Sequence, residues 1–88
     1  MAKVEIYTKF GCPYCSRAKQ LLGDKGVAYD ETDVSMDSAK RQEMLGRANG
    51  RTTVPQIFIG GRHVGGSDDL AMLEQSGKLD AMLAGAEG

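Results

Sequence analysis

Both cysteines of the chain fall in one stretch, Gly11-Cys12-Pro13-Tyr14-Cys15, between a strand-like run and a helix-like one. Val4 and Ile6 alternate with polar neighbours as far as Tyr7, a period-two pattern, and from Pro13 the apolar residues recur at helical spacing. This placement constrains the fold more than any other feature, because strand end, turn and helix start must all converge on the two sulfurs. Cys12 takes the N-cap position and Pro13 the first helical position, where a missing N–H costs nothing and the fixed φ suits a helix. The Cys12 sulfur then faces unpaired backbone N–H groups and the positive end of the helix dipole, which favour thiolate over thiol. Cys15 lies one turn deeper, on a stripe with Ala18, Leu21 and Leu22 that faces the core. It is the less accessible thiol, placed to close a disulfide with Cys12. A pair with this spacing in a small α/β pattern reads as a redox motif.

Other readings of the pair are weaker. A structural zinc site wants four ligands, and the chain offers two cysteines and one distant histidine, His63. A structural disulfide closing so short a loop would constrain little of the unfolded chain. Two inert buried thiols are the remaining alternative, and would make Pro13-Tyr14 at a helix start a coincidence.

The 88 residues suit one compact domain spanning 1–88, with 41% apolar and 26% charged residues. A net charge of -1 gives no field for nucleic acid or an anionic membrane. No apolar run reaches membrane-span length, and Met1-Ala2-Lys3-Val4-Glu5 carries no leader pattern. The expectation is a cytoplasmic protein in a reducing compartment, where paired cysteines are more often catalytic than structural.

Along the chain, the pattern predicts a helix from Pro13 to Asp24 with Gly26 as a left-handed cap, and a strand from Val27 to Val34. A second helix is expected from Asp37 to Ala48, capped by Ser35, with Met44, Leu45 and Ala48 buried and Lys40-Arg41-Gln42-Glu43 in solvent. Gln56 to Ile59 reads as an apolar strand, turned at Gly60-Gly61 into a short strand at Arg62 to Val64. A third helix is expected from Asp69 to Ser76, with Ser67 or Asp68 as N-cap, then a short helix from Lys78 to Leu83 and a frayed tail over Ala84 to Gly88. The order β-α-β-α-β-β-α implies an α/β fold with a mixed four-stranded sheet flanked by helices. His63 reads as an exposed bystander at the hairpin, and Met36, Met44, Met72 and Met82 as helix-face residues rather than metal ligands.

Three motifs in order, Cys12-Pro13-Tyr14-Cys15, Thr53-Val54-Pro55 and Gly65-Gly66-Ser67-Asp68-Asp69, make the chain resemble a glutaredoxin of the small bacterial dithiol type. The resemblance runs from Val4 to about Leu83. It implies a thioredoxin-like fold and glutathione-dependent thiol–disulfide exchange, with Cys12 as nucleophile and Cys15 as resolving thiol. Glutathione is implied as reducing co-substrate; no tightly bound cofactor and no metal are expected, and with nothing in the sequence indicating an oligomer the expectation is a monomer. The implied partners are disulfide-containing or glutathionylated proteins, ribonucleotide reductase among the candidates. Thioredoxins themselves typically carry Gly-Pro between the cysteines and a Trp before them, and this chain has no Trp.

From the residues alone, Pro55 reads as a trans proline opening an edge strand. The resemblance implies instead a cis Val54–Pro55 bond packed against the active-site disulfide. Gly66 allows close backbone approach, and the amides of Ser67 and Asp68 at a helix start suit a carboxylate. Simple N-capping would use the same residues. By resemblance, these groups and the Asp68 carboxylate receive the γ-glutamyl end of glutathione. The family often has a third cysteine where this chain has Ser67. Lys9, Tyr14 and Thr53 complete the implied groove, and Arg41, Gln42 or Arg51 is left to meet the glycyl end. A [2Fe–2S] carrier is the other behaviour the family suggests, associated with motifs such as Cys-Gly-Phe-Ser rather than a proline after the first cysteine. A binding module without turnover is the third.

Overall fold

The computed structural model describes residues 2–85. The elements run β1 (Val4–Thr8), α1 (Pro13–Asp24), β2 (Asp30–Asp33), α2 (Ser38–Arg47), β3 (Gln56–Ile59), β4 (Arg62–Gly65), α3 (Ser67–Gln75) and α4 (Leu79–Leu83). The sheet order is β2-β1-β3-β4. β1 pairs with β2 in parallel and with β3 antiparallel, and the hairpin β3–β4 carries a bulge between Ile57 and Phe58. This is the expected mixed four-stranded sheet.

Strand alternation divides the core between the two sheet faces. Val4, Ile6, Ile57 and Ile59 point to one side, where Ala18 and Leu22 of α1, Leu70 of α3 and Leu79 of α4 close over them. Tyr7 and Phe58 point to the other, beneath Met44 and Ala48 on the α2 side. Each large apolar side chain so buried contributes about 1.5–3 kcal/mol. A polar group also fastens α2 to this second face. Arg47 holds Glu5 through two hydrogen bonds of 2.8 and 3.2 Å and donates to the Tyr7 hydroxyl at 2.9 Å, with its guanidinium 4.1 Å from the Phe58 ring centre. The Tyr7 hydroxyl in turn donates to Glu43 at 2.6 Å, so Glu43 is not merely the solvated residue its run suggested.

Several boundaries differ from the sequence pattern. β2 is confined to Asp30–Asp33, not Val27 to Val34, because the Val27 N–H is drawn back to the Leu22 carbonyl at the end of α1. Gly26 does take the left-handed conformation, at φ 71°. The cap of α2 is Asp37, whose carboxylate accepts from the Lys40 N–H at 3.0 Å; Ser35 accepts instead from the Phe10 N–H at 2.8 Å. α3 starts two residues early, with Gly66 as N-cap rather than Ser67 or Asp68, because the Asp69 carboxylate reaches back to the Gly66 N–H at 2.9 Å. Met44, Met72 and Met82 lie on helices as expected, Met72 exposed, but Met36 sits exposed in the turn before α2. The tail expected over Ala84–Gly88 lies outside the described residues beyond Gly85; the Ala84 and Gly85 N–H groups close α4 on Asp80 and Met82. No helix among the described residues is long and apolar enough to cross a membrane.

Candidate active site

β1 delivers the chain to Gly11, whose φ of 74° turns it into α1. Cys12 is the N-cap, in extended conformation, and Pro13 begins the helix. The Cys12 sulfur accepts the Cys15 N–H at 3.3 Å and lies 3.8 Å from the Val54 carbonyl oxygen, toward which a thiol proton can donate. Both cysteines are free thiols, Cys12 half-buried and Cys15 only 2% exposed. Burial is the main reason that the Cys15 thiol is pushed up to about 12; its hydrogen bond to Cys12 adds to the shift and the backbone at Lys9 opposes it. At neutral pH Cys15 therefore stays protonated, and Cys12 is the sulfur open to an incoming disulfide.

Beside the cysteines runs a groove. Tyr14 of α1 lines it, Thr53, Val54 and Pro55 form one wall, and Gly66, Ser67 and Asp68 at the start of α3 form the other. The Val54–Pro55 peptide is cis, as the family resemblance implied and the residues alone did not. The first-turn N–H groups of α3 lack intrahelical acceptors, so this wall is suited to an anion. Seven of the eight expected groove residues thus come together. Lys9 does not join them. It lines a second depression, with Cys12, Cys15, Lys19 and Glu31. There the Glu31 carboxylate accepts from the Thr8 hydroxyl at 2.8 Å and from Lys19 at 3.1 Å, the Thr8 bond being the main reason its pKa falls.

Of the three basic or amide candidates, Arg51 lines the groove, whereas Arg41 and Gln42 on α2 do not. Arg51 is held by Asp69 at 3.2 Å, the same carboxylate that accepts the Gly66 N–H. In the sequence, Asp69 stands only as the last residue of a motif and the first of the expected third helix. The capping-box position three residues after Gly66 was the signal that could have assigned it. Gly65, at φ 121°, favours glycine: a Cβ there would press on the Asp69 carboxylate and come within 2.9 Å of Arg51 Nη1, so both side chains would have to shift. His63 is half-buried rather than exposed, its Nε2 2.6 Å from Gln56 Oε1 and its ring tilted against Phe58. No group of three or more His, Cys, Asp or Glu among the described residues could hold a metal ion.

The glutaredoxin family model matches residues 4–64. Glutaredoxin 3 of Escherichia coli strain K12 is 58% identical over 83 residues, which cover 94% of this chain and 99% of that protein. Among solved structures, the glutaredoxin of Brucella melitensis in solution is 53% identical with a TM-score of 0.86, covering all of this chain and 95% of that one. The crystal structure of the buckwheat glutaredoxin–glutathione complex gives a TM-score of 0.87 at 33% identity, over 97% of this chain and 79% of that one. They share the thioredoxin-like arrangement of sheet and helices described above. A half-buried thiol at a helix N-cap, a protonated thiol behind it and a match across most of the chain lead to one conclusion: this protein belongs to the glutaredoxin family of thiol–disulfide oxidoreductases.

Proposed function

We propose that this chain reduces glutathione mixed disulfides and protein disulfides at the expense of glutathione, through the Cys12 thiolate. The observation that carries this reading is the position of the Cys12 sulfur. It accepts the Cys15 N–H at 3.3 Å and sits 3.8 Å from the Val54 carbonyl, at the edge of a groove whose far wall is the start of α3. In the mixed-disulfide route, the Cys12 thiolate attacks the glutathione sulfur. The old S–S bond breaks, the substrate leaves as a thiolate that takes up a proton, and Cys12 is left glutathionylated. A second glutathione thiolate attacks the glutathione sulfur of that intermediate, forming oxidised glutathione and returning the Cys12 thiolate. In the dithiol route, Cys12 forms a mixed disulfide with a protein. Cys15 loses its proton and attacks Cys12, releasing the protein thiol and leaving a Cys12–Cys15 disulfide for two glutathiones to reduce.

The groove supplies orientation. The amides of Ser67 and Asp68 take the α-carboxylate of the γ-glutamyl residue, and the Asp68 carboxylate takes its ammonium group. The Val54 backbone pairs with the glutathione backbone as with an added strand, flanked by Thr53 and Pro55, while Tyr14 packs along the ligand. Arg51, already in the groove, meets the glycyl carboxylate, whereas Lys9, which lines a second depression with Cys12, acts as a nearby positive charge. The buckwheat relative was solved as a complex with glutathione, which supports this choice of ligand. The protein substrates are glutathionylated or disulfide-bearing proteins of a reducing, cytoplasmic compartment, and the working unit is one monomeric domain.

The test is reduction of a glutathionylated small thiol coupled to glutathione reductase and NADPH. Cys12→Ser is expected to abolish turnover, and Cys15→Ser to retain a substantial part of it. Wild type without glutathione-dependent turnover would overturn the reading.

A further inference from the structure

Gln56 is the one polar residue of β3, and it is fully buried on the sheet face that carries Tyr7 and Phe58. An amide in such a place costs free energy unless both of its ends are paired. Both are. Its Nε2 donates to the Thr53 carbonyl at 2.9 Å and approaches the Thr53 hydroxyl at 3.2 Å, and its Oε1 lies 2.6 Å from His63 Nε2. The Thr53 carbonyl can only accept, so the amide nitrogen must face it and the amide oxygen must face His63. His63 Nε2 therefore carries a proton and donates. The imidazole is itself held, its ring centre 5.1 Å from that of Phe58. Burial lowers its pKa, and Nε2 remains a donor in both the neutral and the charged ring.

These bonds form a short chain from β4 through β3 to Thr53, behind the groove wall. An apolar residue at position 56 would fill the same space, as Phe58 does on the same face, without needing partners. What the amide adds is a fixed carbonyl and hydroxyl at Thr53, next to the backbone of Val54. We infer that Gln56 and His63 are positioning residues which hold the Thr53-Val54-Pro55 wall in the geometry that receives glutathione. The inference rests on the glutathione reading above and assigns the buried pair a part in it without contact to the ligand.

Gln56→Met keeps the length and removes the amide; His63→Phe keeps a ring against Phe58 and removes the donor. In the coupled assay with glutathione varied, each is expected to raise KM for glutathione roughly two- to tenfold, as for one net hydrogen bond lost. At saturating glutathione kcat should stay within about twofold of wild type, since the reacting sulfurs are untouched. The double variant should be no worse than the more affected single one, because both break one chain. Amide resonances of Thr53 and Val54 should shift in the variants, with those of Ser67 and Asp68 unmoved. An unchanged KM in a folded variant overturns the inference, as does a proportional loss of kcat tracking a lower melting temperature. If Gln56→Met does not fold, His63→Phe at its half-buried site decides alone. A wild type that shows no turnover with glutathione overturns the functional reading and this inference together, whereas normal wild-type turnover with unaltered variants overturns this inference only.

Discussion

Cys12 and Cys15 differ by environment rather than chemistry. One is a half-buried N-cap and the other a core residue, and burial alone is the largest cause of the Cys15 shift to about 12. At pH 7 the reduced protein should therefore take up one equivalent of iodoacetamide, at Cys12. Cys12→Ser should leave Cys15 nearly unreactive until alkaline pH, as mass spectrometry of the alkylated protein would show. The same shift sets a stability profile. An unfolded thiol ionises near its ordinary value of 9.0 while the folded one holds its proton to about 12, so above the lower value the native state binds more protons than the unfolded state. Stability of the reduced protein should fall as pH rises between those values, and Cys15→Ser should flatten the fall in urea titrations. Gly65 is the other single residue with a sharp requirement. Gly65→Ala should cost about 1–3 kcal/mol, through its left-handed φ and the collision with Asp69, read as a lower urea midpoint. Glycines at such places are legible as breakers; which one meets a carboxylate is not.

At the level of elements, the start of α3 depends on Asp69. Its carboxylate caps the helix through Gly66 and holds Arg51, and these contacts, the Gly66 bond first, lower its pKa. Asp69→Ala should destabilise the protein by about 1 kcal/mol, the usual cost of a lost cap. A carboxylate with a depressed folded pKa contributes its stability above the ordinary carboxylate value and loses it as pH falls through the lowered one. The gap between wild type and Asp69→Ala in urea melts should therefore be full at neutral pH and shrink in acid. The two neighbouring acids, Asp68 and Asp69, look alike in the sequence. Both line the groove, and only the way α3 leaves β4 brings Asp69 to the Gly66 N–H and to Arg51.

Over the whole molecule, three segments far apart in the chain meet at one place: the start of α1, the turn into β3 and the start of α3. Their meeting depends on the core they share. Leu22 is fully buried between α1 and the sheet, so Leu22→Ala should cost about 2–5 kcal/mol in urea unfolding. Met36, exposed in its turn, should change stability by no more than about 0.5 kcal/mol when replaced by Ala.

The sequence by itself determined the elements whose signals are local: the strand before Gly11, the capped helix at Cys12, and the glycine turn between β3 and β4. These follow from side-chain periodicity, from the fixed φ of proline and from the freedom of glycine, none of which needs a distant partner. Tertiary structure decided what depends on distance across the chain. It shortened β2 to the residues that β1 can pair, gave Ser35 to Phe10, placed Arg51 rather than Arg41 or Gln42 in the groove, and set Lys9 in a second depression with Cys12 and Cys15. It also turned His63 inward to Gln56. A hydrogen bond or an ion pair forms only when two side chains are brought within about 3 Å, and spacing along a sequence carries no such distance once the chain has folded back on itself.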